Sequence, residues 1–170
     1  MKSIIKFSVL GACILLLFAH CSKPRDYSSD YLSGNIDGVA FECSNIKANK
    51  PRPIPNGGGD DPTIIITGEW PGYTIKLNIY GEGTSLTTGT YVFQADKNRT
   101  ATIWHNNVDS YYAGNSGWFS PLQLHGSGRI IIHDINNNYI KGSFEFVTAV
   151  NGWTGVSKSV TNGGFHIKRD

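Results

Sequence analysis

The stretch YTIKLNIYG, residues 73–81, decides the fold. Tyr73, Ile75, Leu77 and Ile79 fall on one side of an extended chain, with Lys76 and Asn78 on the other. An apolar period of two is the mark of a half-buried strand. The same reading extends in both directions. TIIITGEW (63–70) is rich in β-branched residues, as in a strand covered on both faces. GVAFEC (38–43) sets Val39, Phe41 and Cys43 on one face. GTYVFQA (89–95) and TATIWHN (100–106) flank DKNR, which reads as a hairpin turn. GRIIIHDI (128–135) is joined through Asn136–Asn138 to YIKGSFEFVTAV (139–150), where Ile140, Phe144 and Phe146 alternate with Lys141, Ser143 and Glu145. VSKSV (156–160) and GGFHIKRD (163–170) close the chain.

From residue 21 onward no window of about 11 residues carries a helical apolar period. The 20 Gly and 14 Asn residues supply turns that tolerate positive φ. These features predict an all-β fold, an antiparallel β-sandwich of about nine short strands preceded by a signal peptide. A β-barrel is the alternative. The sandwich is preferred because some strands read as covered on both faces and others on one.

The first 21 residues have a different character. Lys2 and Lys6 precede the apolar run FSVLGACILLLFA (7–19), and the segment ends at Cys21. The run is too short for a membrane span, which needs roughly 20 residues. It reads as a cleaved signal. LFAHC (17–21) resembles a bacterial lipobox, in which the chain is cut before a cysteine that then carries lipid. Leu17, Ala19 and Cys21 suit that pattern, and His20 departs from the small residue usual there. The expected organisation is a signal peptide at 1–20, a flexible tether at 21–33 and a single β domain at 34–170. A proline- and glycine-rich stretch at 49–62 reads as an extended loop.

Removing the signal also removes the charge excess. The whole chain is formally +2, and Lys2 and Lys6 account for all of it. The remainder is neutral, so no basic stripe for nucleic acid and no polybasic surface for anionic lipid is expected. Of the three cysteines, Cys13 lies in the signal and Cys21 in the lipobox, which leaves Cys43 without a disulfide partner.

Several motifs taken together resemble a known family. They are the lipobox, IDGVAF (36–41), GTY (89–91), GRIII (128–132), IKGSFEF (140–146) and the terminal TNGGFHI (161–167). In this order they are similar to the small lipoproteins of unknown function common in Bacteroidetes. The resemblance implies an envelope-anchored β domain, lipidated at Cys21. It carries over no catalytic residue.

Motifs for chemistry are weak. Asp134, Asn136, Asn138 and Glu145 sit at positions 1, 3, 5 and 12 of an EF-hand-like loop, but Tyr139 stands where that loop needs glycine. Glu145 would also lie well along a strand, roughly 20 Å from the turn. Asp60 and Asp61 alone make a poor cation cage. His105, His125, His133 and His166 have no zinc-ligand spacing. GNSGW (114–118) lacks the strand-turn-helix setting of a serine elbow. Glu69, Glu82, Glu145 and Asp109 are scattered carboxylates. No enzyme, metal or cofactor is expected.

The aromatic residues are more informative. Trp118 and Phe119 lie in NSGWFSP, Trp153 in NGWTG, and Trp70 and Tyr73 in EWPGY. Rings flanked by Asn, Gly and Ser either stack on sugars and anchor partners or fold back to plug the ends of a sandwich. The expected function is a non-enzymatic, lipid-anchored module at the outer membrane that binds an envelope protein or glycan. A structural accessory subunit of an outer-membrane complex and a small hydrolase with a dispersed site are the alternatives.

Overall fold

The structure, a computed structural model, describes residues 29–49, 63–80, 86–93, 99–105, 109–114 and 126–169. The lipobox, Cys21, Trp118, Phe119 and most of the 49–62 stretch lie outside the described residues.

Eleven strands and no helix occur among the described residues. In chain order they are β1 (Tyr31–Ile36), β2 (Val39–Glu42), β3 (Ser44–Ala48), β4 (Thr63–Trp70), β5 (Tyr73–Tyr80), β6 (Gly89–Val92), β7 (Thr100–His105), β8 (Asp109–Ala113), β9 (Ser127–Ile135), β10 (Tyr139–Val147) and β11 (Ser159–Lys168). They form a six-stranded sheet, β2-β1-β11-β10-β9-β6, and a five-stranded sheet, β3-β4-β5-β7-β8. Every pairing is antiparallel. The fold is a β-sandwich, as the alternation in residues 73–81 predicts, and not a closed barrel.

The core lies between the sheets. Ile64 and Ile66 from β4, Ile75, Leu77 and Ile79 from β5, and Ile103 from β7 face Leu32, Ile130, Phe165 and Ile167 from the larger sheet. All are essentially inaccessible to water. Full burial of one such side chain contributes roughly 1.5–3 kcal/mol.

The chain changes sheets four times, between β2 and β3, β5 and β6, β6 and β7, and β8 and β9. β2 leads through Cys43 directly into β3, with Cys43 N–H donating to Leu32 C=O at 2.8 Å. The connection from β10 to β11, though it begins and ends in the larger sheet, runs beside β8 of the smaller one, where Ala149 N–H donates to Tyr112 C=O at 2.7 Å and Asn151 Nδ2 donates to Ser110 C=O at 2.8 Å. Such crossing segments tie the layers of a sandwich together and cover strand edges. Cys43 is packed at the first corner. Burial, with the Glu42 carboxylate adding to it, pushes its thiol up to about 12, so it stays protonated and inert.

Four details depart from the sequence reading. β6 and β7, expected to form a hairpin through DKNR, lie in different sheets and do not pair, since β6 pairs with β9 and β7 with β5 and β8. The first strand starts at Tyr31, ahead of the expected domain start at residue 34. Leu32, the one aliphatic residue in the polar stretch before it, is fully buried against Gly68 and holds the strand in place. β3 and β8 are strands that the pattern did not reveal. Finally, the two closing segments are one strand. Asn162, at φ 52°, forms a β-bulge that carries β11 through without a turn.

Gly142 is required by close approach. It sits on β10 in the middle of the larger sheet, beside a register shift against β9. A Cβ there would overlap the Ile131 carbonyl oxygen and the Phe165 ring.

Candidate functional site

The sequence-predicted aromatic residues that fall within the described residues gather at one end of the sandwich. β1 runs from Tyr31 to the Asp37–Gly38 turn, a span of roughly 17 Å. Ser159, at the start of β11, is bound at that far turn. The connection from β10 to β11, which carries Trp153, therefore lies opposite the point where the chain comes into the domain.

Trp70 and Tyr73 flank the two-residue connection Pro71-Gly72. Proline presets the first turn position and Gly72, at φ 79°, takes the second, as in a type II turn. The turn places the two residues directly opposite each other in the β4–β5 pairing, both in the inward phase. Their rings stack 5.0 Å apart at 8°. Phe41 of β2 stacks on the other face of Trp70 at 4.8 Å, and His105 of β7 on the other face of Tyr73 at 4.5 Å. The result is a row of four rings, Phe41–Trp70–Tyr73–His105, joining both sheets. Asp109 stands at the end of the row, its carboxylate 4.0 Å from His105 Nδ1.

Both faces of Trp70 and Tyr73 are taken up inside this row. They are half-buried and packed against the end of the core. Phe41, read as a strand residue, and His105, weighed as a zinc ligand, were not among the aromatic candidates. Their signal was present, because Phe41 shares a phase with Cys43, and His105 shares one with Ala101 and Ile103.

Beside the row lies a charged lock. Asp37 accepts from Ser159 N–H and from Lys158 Nζ, both at 2.9 Å. Lys158 also sits 5.6 Å from the Tyr111 ring centre. Partial burial pushes the Asp37 carboxyl up, but the Ser159 N–H and the Lys158 ammonium outweigh it and hold the carboxyl below its ordinary value. A depressed carboxyl contributes stability above its unfolded value, and that contribution is lost as pH falls through its folded value. Asp37→Ala is expected to lower stability by about 1 kcal/mol at pH 7, with the difference from wild type shrinking in acid. Urea titrations at pH 7 and pH 3 check it, and an equal difference at both would refute the linkage.

Trp153 is arranged differently. Its turn is organised by Asn151, whose Oδ1 accepts from Trp153 N–H at 2.8 Å and Thr154 N–H at 2.9 Å. Asn151 C=O accepts from Gly155 N–H at 2.8 Å, and Asn151 N–H donates to Val156 C=O at 2.9 Å. The same side chain fastens the turn to β8. On this framework Trp153 is 96% exposed, with Val150 and Val156 exposed on either side.

Asp60, Asp61, Glu82, Ser116 and His125 lie outside the described residues, and the remaining candidates among the described residues do not converge. The Asp134–Asn138 segment is a hairpin turn in which Asn136 Oδ1 accepts from Asn138 and Tyr139 N–H. Tyr139 donates its hydroxyl to Asp134. Glu145 pairs with Arg129 at 2.7 Å on the outer face of the larger sheet, and Glu69 bonds Asn45 Nδ2 on the smaller one. Among the described residues no group of three or more His, Cys, Asp or Glu side chains is placed to hold a metal ion.

A family model described as "Domain of unknown function (DUF6252)" matches residues 29–167. The chain belongs to the DUF6252 family. The match begins just before β1 and ends within β11, so the DUF6252 domain and the sandwich coincide. No curated protein and no solved structure matches the chain. Within the DUF6252 domain, the distal end with Trp153 and the ring row is the candidate site.

Proposed function

We propose that this chain is a lipid-anchored binding module of the bacterial cell envelope, delivered to the outer membrane, and that it captures a protein partner through Trp153. The observation that carries this reading is a tryptophan almost wholly in water on a turn locked by hydrogen bonds. A rigid, exposed Trp flanked by valines is the chemistry of an interface anchor, since its burial needs little further ordering. The polar groups of the turn are spent on the turn itself, which suits an apolar pocket on a protein. The role is non-enzymatic, with no cofactor and no nucleic acid. A tether ahead of residue 29 would leave the Trp153 end pointing away from the lipid.

Two experiments test this. Metabolic labelling with a fatty acid should mark the wild type and not Cys21→Ala, and labelling that persists would overturn the anchor. Affinity capture from solubilised envelopes should yield a partner that binds the purified wild type directly and Trp153→Ala poorly. Equal binding by both would overturn the Trp153 reading.

A further inference from the structure

Exposed apolar side chains gather around the β10–β11 connection. Trp153 is almost wholly in water, and Val150, Val156 and Tyr112 of β8 are each close to half exposed. Hydrogen bonds join these residues into one frame. Ala149 N–H donates to Tyr112 C=O and Asn151 Nδ2 to Ser110 C=O, while Asn151 Oδ1 accepts from Trp153 N–H. Ser110 and Tyr112 are two positions apart, roughly 7 Å along the strand. Trp153 and Tyr112 are therefore close enough to lie within one partner's share of a standard interface, about 800 Å².

The patch is uncharged. Residues 147–157 hold no Asp, Glu, Lys or Arg, and neither does β8 after Asp109. The charges at its margins face other groups. Lys158 is paired with Asp37 at 2.9 Å, and Asp109 stands 4.0 Å from His105. Yet both rings keep a donor to offer. The Trp153 indole N–H and the Tyr112 hydroxyl bond no other described residue. When such rings are buried, these polar atoms usually take a partner.

We infer that Trp153 and Tyr112 form a two-point anchor for one protein partner. The partner's matching surface is an uncharged apolar pocket with acceptor oxygens at its rim, one for the indole N–H and one for the phenol O–H. Trp and Tyr are the residue types that dominate interface energetics, and Val150 and Val156 beside them exclude water. With no charge in the patch, nothing in the contact is open to screening by salt. The inference rests on the protein-capture reading and adds to it a second anchor and the chemistry of the pocket.

The probe is the protein that a column of immobilised wild type retains from solubilised envelopes and a Trp153→Ala column does not, purified and titrated by calorimetry. Tyr112→Ala should weaken its binding about tenfold or more. Tyr112→Phe, which removes the hydroxyl alone and keeps the fold, should weaken it about fivefold. Val92→Ser, an exposed apolar position on the other sheet, should leave it unchanged. Wild-type affinity should vary less than about threefold from about 0.05 to 1 M sodium chloride. Full affinity in Tyr112→Phe, or a steep loss with salt, would overturn the inference while Trp153 still counts. A probe that binds Trp153→Ala as tightly as wild type would overturn the capture reading and this one with it. Wild-type binding to phosphatidylcholine vesicles that Trp153→Ala and Tyr112→Ala abolish would overturn it in favour of a lipid surface.

Discussion

Gly142→Val is expected to cost about 3–4 kcal/mol, a large share of the 5–15 kcal/mol that holds a typical domain together. The position combines three constraints. It is buried on β10, the strand flanked by both β9 and β11. A side chain there meets a main-chain carbonyl, that of Ile131, which cannot move without breaking the ladder. The other obstacle is Phe165, among the largest fully buried side chains of the core. Rotating that ring away would open a cavity elsewhere. The control is Gly152→Ala, where a Cβ has no neighbour within 4 Å and the change should be nearly neutral. Urea titration followed by far-UV circular dichroism compares the two. A Gly142→Val midpoint equal to that of wild type would show that the sheet can spread at this point after all.

Trp153→Ala should behave in the opposite way. Stability should stay within about 0.5 kcal/mol of wild type, because the ring touches so little of its own protein. Binding to the captured partner should fall by about 2 kcal/mol or more, roughly 30-fold, the loss usual for a central aromatic anchor. Asn151→Ala separates the ring from its presentation. That variant keeps the indole but removes the side-chain acceptor for Trp153 and Thr154 N–H and the tie to Ser110. Its affinity should fall between the two, through the ordering of a loosened turn on binding. Wild-type affinity in Asn151→Ala would mean that the rigid turn is incidental.

Much of the fold was legible where one physical rule dominated. In β5 the alternation of Tyr73, Ile75, Leu77 and Ile79 is unbroken, and all four side chains point inward as expected. β1, β3 and β8 were not legible. YLSGNI, SNIKA and DSYYA hold too few aliphatic residues to signal a strand. They are extended because neighbours pair with them, and strand preference depends heavily on such context. The candidate site divides along the same line. Trp70, Tyr73 and Trp153 could be named because rings beside Gly, Pro and Asn stand out in a sequence. Their fates could not be told apart, since burial depends on what arrives from the other sheet. Phe41 stacks on Trp70 across the layers, whereas nothing reaches Trp153. Asn151 looked like an ordinary turn residue, and only its hydrogen bonds reveal it as the organiser of that turn.

The antiparallel placement of β1 has a mechanical consequence. The chain comes in at Tyr31, and the Trp153 turn lies toward the opposite end of that strand. Tension between an anchored N-terminus and a partner held at Trp153 would run along β1, across the hydrogen bonds that join it to β2 and β11. Those bonds would be loaded in shear and would have to fail together, not peel away one by one. Under such a load β1 would be the tension member of the domain.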